Sequence, residues 1–214
     1  MESRVLITSG PTREYLDPVR YLTNASSGRM GRALAEAVIR SGRQATIVTG
    51  PVELSYPAEA EVIEVVGTEE MLDACRDVFP RCDGLFGVAA ACDYRPQYVS
   101  EQKIKKTGRP LLVEMVETSD VMAALAAGKT SQWLVGFALE TEDAHFRAMT
   151  KLQKKNCDLI VLNGPEAMHA SDTRIEVLDP SGQIALRFSG AKEEAADRIM
   201  RLVDQRFPRE VSDD

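Results

Sequence analysis

The chain has 214 residues, 44% of them apolar, and a formal net charge of −7. That length buries one sizeable core, and the negative balance argues against general nucleic-acid binding, because phosphate backbones recruit basic surfaces. No apolar run approaches the about 20 residues needed to cross a bilayer, so no membrane segment is expected. Met1-Glu2-Ser3-Arg4 leads straight into a strand-like run, so no secretory leader is expected. The four cysteines, Cys75, Cys82, Cys92 and Cys157, form no C-x-x-C pair, and only two histidines accompany them, which disfavours a zinc site. Scattered cysteines without a framework fit a reducing cytoplasm.

Val5 to Thr8 reads as a short buried strand that ends at Ser9-Gly10-Pro11. A polar excursion follows, then a helix from about Ser27, in which Met30, Leu34, Ala37 and Val38 recur at helical spacing and Gly42 is the stop. Strands are expected at Ala45–Gly50 and Val62–Val66, and Thr68 caps a helix with acids in its first turn. Leu85–Ala91 reads as a central strand of small residues. Asp93 to about Pro110 is irregular, basic and weakly apolar, as functional or mobile loops are. Ser119-Asp120 opens a helix that runs through Ala127 to a stop at Gly128. Trp133–Ala138 is a strand, Asp143–Lys155 a helix, and Leu159–Leu162 a strand that closes at Asn163-Gly164. Ile175–Leu178 and Ile184–Phe188 flank Asp179-Pro180-Ser181-Gly182, a hairpin signal. A final helix spans about Lys192 to Phe207, and residues 208–214 read as a frayed tail.

Strands alternating with helices predict a Rossmann-like, doubly wound α/β domain over residues 1–207, with a mostly parallel sheet covered on both faces and a C-terminal hairpin. Ligands of such sheets bind beyond the carboxyl ends of the strands. That rule gathers Gly10, the Ala89–Asp93 turn, Phe137–Glu140 and Asn163 on one rim.

Several motifs are decoys. Ala123-x-x-x-x-Gly128-Lys129-Thr130 nearly spells a phosphate-binding loop, but its first glycine is missing, and a helix precedes it where a strand is required. No G-x-G-x-x-G and no G-x-S-x-G occurs. His145 and His169 are isolated and read as surface residues. Two basic clusters, Lys103/Lys105/Lys106/Arg109 and Lys151/Lys154/Lys155, are either solvated faces or a small-anion site. The entry into the first helix through Asn24-Ala25-Ser26-Ser27-Gly28 is either an ordinary N-cap or a phosphate cradle, since a helix N-terminus offers unpaired N–H groups and partial positive charge.

The segment SGPTREYLDPVRYLTNASSGRMG, from Ser9 to Gly31, strongly resembles the opening of the phosphopantothenoylcysteine synthetase (phosphopantothenate–cysteine ligase) family. Three further blocks match in order: AAACDYRP at Ala89–Pro96, KIKK at Lys103–Lys106 and GFALET at Gly136–Thr141. The resemblance runs from about Arg4 to Phe207. It implies a synthetase domain of coenzyme A biosynthesis without the flavin decarboxylase domain to which many bacterial members are fused.

The resemblance also implies the chemistry. A carboxylate is a poor acyl donor, so the family first joins that of 4'-phosphopantothenate to a nucleotide α-phosphate, releasing pyrophosphate. The amine of L-cysteine then attacks the acyl-nucleotidylate. Bacterial members use CTP, with Mg2+ on the triphosphate. Such chemistry needs positioning and charge stabilisation more than a protein nucleophile. By the family's pattern Asn24 holds the intermediate, Gly10, Ser26, Ser27 and Gly28 cradle phosphate or substrate, and backbone at Gly87, Val88 and Ala89 meets the base. Asp93, Phe137, Lys151 and Lys155 contact the nucleotide, and Lys103 leads a mobile K-x-K-K loop that neutralises phosphate charge during acyl transfer. The family is dimeric, and the 175–188 hairpin offers edges for a two-fold. Cys92, Glu117 and Gly164 depart from the usual Ala, Lys and Asp. Two other classes compete: an inactive nucleotide-binding paralogue, and a flavin or nicotinamide oxidoreductase, which the missing glycine fingerprint disfavours.

Overall fold

The computed structural model describes residues 3–139, 142–164 and 172–208. His169, the Glu140-Thr141 end of the GFALET block and the tail from 209 onward lie outside the described residues.

Apolar runs become the interior strands β1 (Arg4–Ser9), β4 (Gln44–Thr49), β6 (Gly84–Gly87), β9 (Trp133–Leu139) and β10 (Leu159–Asn163). They are buried along almost their whole length, which is why they read as continuous rather than alternating apolar runs. With β5 (Glu61–Glu64), β11 (Asp172–Leu178) and β12 (Ile184–Ala191) they form one eight-stranded sheet of order β5-β4-β1-β6-β9-β10-β11-β12. Every pairing from β5 through β10 is parallel, and β11 and β12 add an antiparallel hairpin. The chain winds outward from β1 to β5, then returns to build the other half from β6. The strand order therefore reverses between β1 and β6.

Helices cover both faces. Leu34 and Val38 of α1 (Arg29–Arg40) pack with Ile199 and Val203 of α5 (Lys192–Arg206) over Ile7 and Val135. On the other face, α2 (Thr68–Val78), α3 (Val121–Ala127) and α4 (Ala144–Lys154) set Met71, Leu125 and Leu152 against Leu6, Leu85 and Leu134. Each such fully buried side chain contributes ~1.5–3 kcal/mol. Gly84 is required by contact: a Cβ there would lie 2.0 Å from the Trp133 ring, which in turn packs edge-on against Phe86.

Some sequence expectations shift. The polar excursion is a hairpin of β2 (Arg13–Asp17) and β3 (Arg20–Thr23), and α1 starts at Arg29 rather than Ser27. The strand expected over Leu85–Ala91 stops at Gly87, because the chain then turns to reach the β1 loop: Ala90 donates its N–H to the Gly10 carbonyl. The stretch expected to be irregular begins with β7 (Tyr94–Pro96), which pairs antiparallel with the distant β8 (Met115–Glu117). Thr68 is the first residue of α2, not its cap; the Glu14 carboxylate accepts from its N–H and its hydroxyl. Helix α3 does run from the Asp120 cap to Gly128, with β9 after it, so the near-miss phosphate loop is a helix end.

The loop that carries Lys103 is tied to the β2–β3 hairpin by one buried acid. Asp17 accepts from the N–H groups of Val19, Arg20 and Ile104 and forms a 2.6 Å ion pair with Arg20, which also donates to the Ile104 carbonyl. Burial works to raise the Asp17 pKa; the Val19 and Ile104 amides and the Arg20 guanidinium outweigh it and bring the pKa down to about 2. A depressed carboxyl stabilises the fold above its unfolded value near 3.9 and loses that contribution as pH falls toward the folded value. Asp17→Asn is therefore expected to lower the urea midpoint at neutral pH, with the gap to wild type closing as pH falls from about 4 to about 2. A gap independent of pH would show that the charge is not what holds the clasp.

Candidate functional site

The β1/β6 reversal opens a crevice beyond the carboxyl ends of these strands, where open α/β sheets bind ligands. The loops leaving the two strands are stitched together. Thr8 Oγ1 accepts from the amides of Val88 (3.1 Å) and Ala89 (3.3 Å), and Cys92 donates its N–H to Thr12 Oγ1 at 2.8 Å. Asn24 Nδ2 donates to the Ala90 and Ala91 carbonyls at 3.1 and 2.9 Å. Both Asn24 amide hydrogens are thus engaged, and its carboxamide oxygen is the atom left to face a ligand. The amides of Val88 and Ala89 are likewise taken, on Thr8 Oγ1, so they are not open to a ligand in the crevice.

Two chambers meet on this floor. The first, about 560 Å³, lies at the start of α1 and is lined by Gly10, Asn24, Ser26, Ser27, Gly28 and Val88, among others. Gly28 is the N-cap of α1 at φ +73°, a conformation that favours glycine; no side chain caps the helix, and no acid stands in its first turn. Its orphan N–H groups therefore have no competing carboxylate from their own helix. Below it, Ser9, Tyr56 and Thr49 form a hydroxyl chain, with Tyr56 Oη 2.8 Å from each of the other two. The second chamber, about 480 Å³, opens between α3 and α4 and is lined by Gly87, Glu117, Asp120, Met122, Lys154 and Lys155. Ala89, Ala90, Asp93, Phe137 and Lys151 line both.

The fold thus brings together every site residue named from sequence except Lys103, which is exposed on its loop and lines neither chamber. Lys155 reaches Asp120 at 3.1 Å, and Lys151 faces the same chamber, in keeping with their four-residue spacing. The substituted Glu117 does stand on the wall of the second chamber. Asn163 lines the first chamber, where its buried Oδ1 has no hydrogen-bond partner among the described residues. Sequence reasoning missed Ser9, Arg29 and Lys192, which line the first chamber. Lys192 carried a usable signal: a lysine at the first position of a helix opposes the helix dipole. It is buried, and burial and the Arg29 charge lower its pKa.

Residues 1–207 match the family described as the DNA/pantothenate metabolism flavoprotein C-terminal domain. The chain is 40% identical over 211 residues to the coenzyme A biosynthesis bifunctional protein CoaBC of Vibrio cholerae, a match covering 95% of this chain and 53% of that protein. It is similar to the crystal structure of the C-terminal domain of CoaBC, with 32% identity, a TM-score of 0.82 and 95% of each chain covered. A Cab2 mutant in complex with phosphopantothenate-cysteine shares the fold at 15% identity and a TM-score of 0.78, over 95% of this chain and 86% of that one. The chain spans about half the length of the curated relatives it matches.

Gly31 lets α1 sit against the floor: a Cβ there would lie 2.1 Å from Ser9 Oγ. Gly31→Ala is expected to displace Ser9 from Tyr56 and destabilise the fold by ~1–3 kcal/mol, as overpacking does. Urea denaturation measures the loss, and an unchanged midpoint would mean that the α1 contact is loose.

Proposed function

The chain belongs to the family of the DNA/pantothenate metabolism flavoprotein C-terminal domain, and on that premise we propose that it ligates 4'-phosphopantothenate to L-cysteine. The observation that carries this reading is the pair of chambers sharing one wall at Ala89, Ala90, Asp93, Phe137 and Lys151. A ligase that activates a carboxylate must bring a nucleotide α-phosphate and an acid into contact, and two chambers with a common wall provide that geometry.

In this reading the nucleoside occupies the α3–α4 chamber, with Phe137 against the base, Asp93 toward ribose hydroxyls, and Lys151 and Lys155 near the phosphates. Phosphoryl groups lie against Gly10, Ser26, Ser27 and Gly28. The phosphopantothenate carboxylate attacks the α-phosphorus and pyrophosphate leaves. The cysteine amine then attacks the acyl carbon, forming the amide and releasing the nucleoside monophosphate. Asn24 is fixed by the Ala90 and Ala91 carbonyls, so its oxygen can orient the intermediate without reorganising. Lys103 must be carried in by its loop to meet developing charge, as lid residues are. The nucleotide is taken to be CTP, as in the bacterial members that the sequence resembles. Mg2+ is taken to ride on the triphosphate, as the family resemblance implies, where it would neutralise phosphate charge.

No helix among the described residues is long and apolar enough to cross a membrane. The cysteines are all unpaired and buried, which supports a reducing, cytoplasmic setting. For the homodimer we favour a different face from the β11–β12 edge. Exposed apolar side chains gather on the β2–β3 hairpin and the 94–117 arm beside it: Val19, Tyr21, Leu22, Tyr98, Val99 and Leu112, the last 92% exposed. Such a cluster is larger than scattered surface residues explain, and a second copy is the occupant proposed.

Two experiments test these readings. Pyrophosphate release that depends on both phosphopantothenate and cysteine is expected with CTP and weaker with ATP. Asn24→Asp and Lys103→Gln are each expected to cost ~2–4 kcal/mol in turnover while CTP affinity falls less. Wild-type turnover in either variant would remove that residue's role, and in both would misplace the site. Sedimentation equilibrium is expected to give a dimer that Leu112→Asp dissociates; a wild-type monomer with full activity would rule the dimer out.

A further inference from the structure

The basic loop has a held half and a free half. Segment 97–104 is bonded back along its length: Gln97 donates its N–H to the Glu114 carbonyl, Ser100 donates its N–H to the Leu16 carbonyl, and Ile104 donates its N–H to Asp17 Oδ2 at 3.1 Å. Arg20 donates to the Ile104 carbonyl, so both backbone polar groups of Ile104 are taken by the β2–β3 hairpin. From 105 to 113 the one bond among the described residues is local, from the Arg109 N–H to Thr107 Oγ1 at 3.4 Å. Of the four cations Lys103, Lys105, Lys106 and Arg109, only Lys103 lies on the held side.

Asp17 makes the tie. Its side chain is fully buried, and its two oxygens have different partners. Oδ1 accepts the Val19 and Arg20 amides and so fixes the hairpin's own turn. Oδ2 accepts from the Ile104 N–H and from Arg20 Nε and so fixes the loop. The first set alone would complete the turn; the second places a buried charge against the residue next to Lys103, which turn formation does not require. From this turn β3 runs directly to Asn24, and at the hairpin's root Thr23 Oγ1 donates to the Thr12 carbonyl. One two-stranded element therefore leads to Asn24 at its root and holds the Lys103 segment at its tip.

We propose that Asp17 is a positioning residue for Lys103: it fixes Ile104 on the hairpin, so that Lys103 approaches the chambers by a swing about one anchored point, in the same frame as Asn24. The role in turnover rests on the ligase reading; the anchoring does not. Anchoring narrows the search for the place where the ammonium meets developing charge, and a misplacement of ~1 Å at such a group can cost ~100-fold in rate.

Asp17→Asn separates the two oxygens, since the carboxamide oxygen still accepts the turn amides while its NH2 cannot accept from Ile104 or Arg20. Trypsin cleavage after Lys103 breaks the bond to the pinned Ile104 amide, whereas cleavage after Lys105 or Lys106 falls in the free half. The variant is expected to speed cleavage after Lys103 by ~10-fold or more and to leave the other two sites near wild type. In turnover with CTP, phosphopantothenate and cysteine it is expected to lower kcat ~10-fold or more with little change in the KM for CTP, and to add nothing to the loss caused by Lys103→Gln. Arg20→Met removes the other half of the clasp from an exposed side chain, and should give the same pattern even where Asp17→Asn does not fold. Cleavage after Lys103 at the wild-type rate in both variants would overturn the anchoring. Losses of kcat that multiply with that of Lys103→Gln would show general damage and overturn the positioning role. A wild-type chain that forms no product, but whose Lys103–Ile104 bond opens faster in the variants, would defeat the ligase reading and keep the anchoring of Lys103.

Discussion

The molecule depends on a seam between the loops that leave β1 and β6. Parallel strands diverge where their order reverses, so the sheet alone would leave an open gap there. Thr8 and Thr12 close its floor by accepting amides from the opposite loop, and the Ala90 amide completes it on the Gly10 carbonyl. Asn24 then fastens the entry of α1 to the same loop. Each bond joins residues 66 to 81 positions apart in sequence, so the cleft is rigid for reasons of tertiary structure rather than local propensity.

Helix ends divide between structural and site roles. Helix α3 begins with an aspartate that accepts the Ala123 amide, and α2 begins against the Glu14 carboxylate. These ends are satisfied within the chain. Helix α1 begins with a left-handed glycine and no side-chain cap, and α5 begins with a lysine. A sequence chosen for stability alone would cap both with an acid. Both of these ends contribute residues to the first chamber, although α5 also has Glu193 and Glu194 in its first turn.

What could be read from the sequence follows the same division. Interior strands and amphipathic helices were legible because burial on two faces or one imposes a local period, as in Leu6–Ile7 and in Leu34, Ala37 and Val38. The β2–β3 hairpin was not, because Tyr21 and Leu22 point into no core of this chain and the strand has no buried face to mark it. The β7–β8 pair was hidden by separation, since Tyr94 finds Glu117 across a long arm. For the site, the four motif blocks carried most residues to the cleft, but spacing could not show that Val88 and Ala89 spend their amides on Thr8. Nor could it show that the loop bearing Lys103 is tethered to Asp17.

The packing of α5 on α1 has a consequence for the nascent chain. Arg40 and Arg43 at the end of α1 meet Asp197 and Asp204 of α5, and the two helices share one core. The wall that holds Arg29 is made from the first fifth of the sequence, and Lys192 reaches it only with the last described helix. A ribosome-bound chain lacking that helix would have every described residue of the second chamber but would lack the Lys192 side of the first. The first chamber would then take its final shape only with the last helix, so a slow codon run ahead of α5 would prolong the unfinished state without altering the finished protein.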